Sequence, residues 1–76
     1  SIERHKLELG LFDITRADLE AFAEAGQTLH LKVVGLARIS ADVSPELAVA
    51  TIGSLNVLGA LQAPKAVKAA LKDRIT

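Results

Sequence analysis

At 76 residues the chain has room for one small domain; half of its residues are apolar, and nine basic side chains balance nine acidic ones for a formal charge of zero. Cysteine, methionine, tryptophan and tyrosine are absent and phenylalanine occurs twice, which excludes a disulfide framework, a thiolate nucleophile, a cysteine metal site and an aromatic platform for bases or sugars. A chain this short buries only about 60% of the surface that it exposes when unfolded, so part of its aliphatic surface needs cover from elsewhere, and the zero balance argues against a general nucleic-acid or anionic-membrane binder.

In chain order, Leu7 to Ile14 begins with Leu7, Leu9 and Leu11 alternating with Glu8 and Gly10 and reads as a strand. Thr15 then supplies a hydroxyl N-cap to a helix with acidic first turns and Leu19 and Phe22 on one face, ended by Gly26. Leu31 to Ile39, rich in aliphatic and β-branched residues, is the firmest strand. Ser44-Pro45-Glu46 starts a second helix, with proline at the first helical position, and Gly53 closes it. A third strand covers Leu55 to Leu61, and Pro64 opens a third helix running to about Arg74 with Ala66, Val67, Ala70 and Leu71 as its apolar stripe.

Lys6-Leu7-Glu8-Leu9-Gly10, Leu31-Lys32-Val33-Val34-Gly35 and Leu55-Asn56-Val57-Leu58-Gly59 echo one another at spacings of 25 and 24 residues between the glycines. Self-similarity of that length marks a repeat architecture. The expected fold class is therefore α/β, a solenoid-like repeat of three strand-helix units over 1–29, 30–53 and 54–76, with a parallel sheet and helices on one face. The alternative is an α+β fold whose strands pair across a dimer. With Ser1 in place of methionine, the chain reads as a processed or excised piece of something longer. No basic-then-apolar leader opens it, and the cytoplasm is favoured over secretion.

Charge is segregated along the chain. Residues 1–30 hold six acidic side chains against three basic ones, whereas the last unit sets Lys65, Lys68, Lys72 and Arg74 against Asp73. Ends of opposite sign favour head-to-tail contact between copies. The contact residues expected on that basis are Leu7, Leu9 and Leu11 at one end and Val67, Leu71 and Ile75 at the other, with Glu20 and Glu24 facing Lys65, Lys68 and Lys72.

Chemical constellations are not visible. His5 and His30 are the only imidazoles, with no further ligand at metal spacing. Asp13, Asp18, Asp42 and Glu46 sit where caps and turns want carboxylates, and Ser40, Ser44 and Ser54 have no histidine within a motif. The uncharged run Leu47 to Pro64 is too polar and too broken by glycine to span a membrane. Ile14 to Ala25 could open a helix-turn-helix unit, but the next segment is a strand and no basic recognition helix follows. The sequence thus points to a non-enzymatic self-association or protein-interaction module without cofactor or metal, partnered by a second copy or another protein and not by nucleic acid or membrane. The alternative is a small sensing domain that binds an anion or metabolite at helix N-termini.

Overall fold

Between Gln27 and Ile39 every second residue is apolar or glycine, namely Leu29, Leu31, Val33, Gly35, Ala37 and Ile39, the pattern of a strand with one buried face. The computed structural model describes residues 2–76 and makes this segment the central strand of a three-stranded parallel sheet. The strands are β1 (Ile2–Ile14), β2 (Gln27–Ile39) and β3 (Ile52–Gln62), in that spatial order. Helix α1 (Arg16–Glu24) connects the first two, α2 (Pro45–Thr51) the second and third, and α3 (Lys65–Ala70) follows β3.

All three strands begin earlier than apolar alternation alone predicts, because residues that break the alternation still find a backbone partner: Ile2 lies opposite Gln27 and His5 opposite His30. The third helix is shorter than expected. It stops at Ala70, and Lys72–Arg74 tighten into a 3-10 turn whose Arg74 donates from Nη1 to the carbonyls of Val49 and Ile52 at 2.7 and 2.9 Å. A guanidinium there satisfies carbonyls that the end of α2 leaves without partners. Gly53, expected to close α2, instead occupies the irregular start of β3, where a Cβ would crowd His30 and Thr28.

Thr15 caps α1 as expected from the sequence, and the start expected at Ser44-Pro45-Glu46 carries a cap as well. Thr15 Oγ1 accepts from the Asp18 amide at 3.1 Å, while Asp18 reaches back to the Thr15 amide; Ser44 Oγ accepts from the Leu47 amide at 3.1 Å.

The core lies between the sheet and the helices. Leu29, Leu31, Val33, Ala37 and Ile39 of β2 meet Ile14, Ile52 and Leu55 from the flanking strands and Leu19, Ala48 and Val67 from the helices, with Leu71 beneath the C-terminal turn. Thr51 is the one buried polar side chain among the described residues, and it donates from Oγ1 to the Leu47 carbonyl at 2.7 Å.

Register follows from the glycines: Gly10 pairs with Gly35 and Gly35 with Gly59. At Gly35 and Gly59 φ is +137° and +141°, and an added Cβ would collide with the carbonyl of the preceding strand's glycine, Gly10 and Gly35 respectively. Backbone strain and steric overlap then act together, so Gly35→Ala and Gly59→Ala should each cost about 2–4 kcal/mol. Gly10, where a Cβ meets nothing, should cost about 1 kcal/mol from backbone conformation alone. Urea midpoints of the three variants measure the difference.

Candidate nucleic-acid interface

Two surfaces carry the polar chemistry of the molecule. The first is the outer side of α3. Val67 anchors this helix in the core, Lys65 and Lys68 stand exposed on it one turn apart, and Lys72 is exposed in the 3-10 turn that follows. None of them forms an ion pair among the described residues. Arg74, the fourth cation of this end, is committed to the α2 carbonyls. The acidic α1 lies at the other end of the helix layer, with α2 packed between it and α3, so Glu20 and Glu24 do not meet the lysines within one chain. Glu20 instead pairs with Arg16 at 3.2 Å.

The second surface is the open face of the sheet. In-register pairing of parallel strands stacks side chains into rungs, and five of them cross the face: His5, His30 and Ser54; Leu7, Lys32 and Asn56; Leu9, Val34 and Leu58; Leu11, Leu36 and Ala60; Asp13, Arg38 and Gln62. In the first rung the His5 and His30 rings stack at 4.8 Å between centroids. The two nitrogens of His30 lie 2.9 Å from Ser54 Oγ and 2.5 Å from Glu3 Oε1. In the last rung Arg38 holds Asp13 through Nε and Nη2 at 2.8 and 3.2 Å. That two-point contact holds the Asp13 carboxyl below its ordinary value of 3.8 and pushes the Arg38 guanidinium up.

Sequence reasoning did not find the Glu3, His30 and Ser54 contact, because its members lie 27 and 24 residues apart. The signal was present in the spacing of the glycines: residues one spacing apart become rung neighbours. Of the expected contact residues, Leu7, Leu9 and Leu11 lie on β1, the strand at one end of the sheet, and stand exposed on its open face. Val67 and Leu71 are fully buried inside the chain. Their stripe faces the chain's own core, a choice that periodicity alone does not make. Ile75 is bridged to Leu55 on the edge of β3.

A family model describing ribbon-helix-helix transcriptional regulators matches residues 1–68. The chain belongs to that family. No curated protein and no solved structure matches it. This membership corrects several expectations. The fold class is not that of a three-unit α/β repeat solenoid, nor an α+β fold pairing across a dimer: a ribbon-helix-helix chain is a strand followed by helices. Here β1 and α1 follow that order, and the parallel pairing of β2 and β3 departs from it. Recurrent glycines report strand register, which is local, and do not define ancestry.

The function is likewise that of a transcriptional regulator family, not of a self-association or protein-interaction module or a sensing domain. The exclusion of nucleic acid is overturned for a physical reason as well. A zero total says nothing about a surface on which three lysines stand together at one end while the carboxylates collect at the other. The family is non-enzymatic, and the Glu3, His30 and Ser54 arrangement is accordingly a tie across three strands. No helix among the described residues is long and apolar enough to cross a membrane.

The ion pair in the last rung has a pH signature. Because the folded value of Asp13 is depressed, its contribution to stability is fully present above the unfolded carboxylate range and is lost as pH falls through the folded value. Asp13→Asn should therefore lower the melting temperature slightly near neutrality, the loss being small because the pair is exposed, and flatten the fall below about pH 4 so that the two curves of melting temperature against pH converge in acid.

Proposed function

We propose that this protein is a cytoplasmic, DNA-binding transcriptional regulator in which Lys65, Lys68 and Lys72 make phosphate contacts. The observation that carries the reading is the family match over residues 1–68. The exposed lysines of the third helix and of the turn after it supply a physical means: each ammonium placed on a phosphate releases a condensed counterion, so a local group of cations gains affinity even on a chain of zero net charge. Such contacts position a protein on the duplex without reading its sequence.

The test is fluorescence anisotropy of a labelled mixed-sequence duplex across a salt series. Binding should weaken as salt rises, and the triple variant Lys65→Gln, Lys68→Gln, Lys72→Gln should lose at least tenfold at low salt and reduce the slope of log affinity against log salt by about 2.7 per chain. Glu20→Gln with Glu24→Gln, at the opposite end, should not weaken binding. A wild-type protein that ignores duplex DNA at low salt, or a slope unchanged in the lysine variant, would overturn the assignment.

A further inference from the structure

Phenylalanine occurs twice in the chain, and both rings line one cleft. The cleft is there because α1 packs against β2 and α2 rather than over β1, so the helix-facing side of the edge strand is left open. Phe12 and Ile14 of β1 and Leu29 of β2 form its floor, and Leu19 and Phe22 of α1 form its wall. Its volume is about 470 Å³, within the range of small-molecule sites. The buried core is aliphatic throughout. The two rings stand instead at its open margin, each with part of its surface in solvent.

One cation serves this cleft. Lys6 lies on the helix-facing side of β1, opposite the buried Leu31, and its ammonium stands 5.6 Å from the centroid of the Phe12 ring. Lys6 makes no ion pair among the described residues. Of the carboxylates around it, Asp18 is held by the Thr15 amide as part of the α1 cap, and Glu8, the next residue on that side of β1, does not pair with it. Arg4, the preceding residue on that side, adds a second positive charge.

We infer that this cleft binds an apolar monocarboxylate, with its hydrocarbon between Phe12, Leu19 and Phe22 and its carboxylate on the Lys6 ammonium. Burial of hydrocarbon supplies the affinity, and a single charge-assisted contact fixes the orientation. A dicarboxylate would set its second charge against the apolar floor or against Asp18, and a cationic ligand would meet Lys6 and Arg4. From Asp18 to Ala25, both of which line the cleft, α1 advances about 10 Å, which suits a medium-length chain and not a long-chain lipid. The site runs along the flank of α1, at the end of the helix layer remote from α3. Its occupancy is therefore measurable without DNA, and the failure of either assignment leaves the other standing.

Titration of the isotope-labelled chain with octanoate, followed by amide NMR shifts in the absence of DNA, tests the inference. Octanoate should move the amides of Phe12, Leu19 and Phe22 saturably, with a Kd of about 1 mM or tighter, and leave those of Leu9 and Leu58 on the open face still. Lys6→Met keeps the apolar stem and removes the charge. It should weaken octanoate about tenfold and leave neutral octanol unchanged, which also reports an intact fold. Ala21→Phe, at an exposed position lining the cleft, should abolish binding of both with unchanged circular dichroism. Octylammonium should bind more weakly than octanoate. The inference would be overturned by the absence of saturable shifts, by shifts centred on the open-face leucines, by octanoate and octanol changing alike in Lys6→Met, by binding that survives Ala21→Phe, or by a preference for octylammonium.

Discussion

Gly35 and Gly59 lie so close to the carbonyl of the glycine on the preceding strand that no side chain can enter between them, and the rest of the structure follows from that close approach. It sets parallel register across the whole sheet. Slipping a strand by one residue would exchange its faces, burying Lys32 and exposing Val33. Once the glycine rung is fixed, residues 24 or 25 apart must be neighbours, and the polar rung at each end and the aliphatic rungs between them are its geometric consequence. The Glu3, His30 and Ser54 contact and the Asp13 and Arg38 pair are thus two products of one constraint.

That constraint also shows what could be read from the sequence. Thr15 with Asp18 and Ser44 with Pro45 announce helix starts by local chemistry, and local chemistry is legible. Strand beginnings were not, because Glu3, Arg4, Gln27 and Thr28 are held by backbone pairing that has no side-chain signature. The stripe of Val67 and Leu71 was visible as a stripe, but its direction was not: an apolar helix face is the same string of letters whether it meets its own sheet or another molecule. The His30 and Ser54 contact was legible in principle, since applying the glycine spacing to His5 leads to His30 and then to Ser54. Family membership was not legible, because total charge was used to exclude DNA when only the local distribution bears on it.

Charge segregation takes a physical form in the helix layer. Strand order places α1 and α3 at its two ends with α2 between, so a gradient along the sequence becomes a gradient across the molecule. At the acidic end Arg16 engages Glu20, which reduces the free charge there. At the basic end Arg74 is spent on capping α2, which leaves the lysines as the mobile, strongly hydrated cations suited to phosphate as point charges. The two roles of that end are therefore divided by side chain: guanidinium for structure, ammonium for the solvent-facing field.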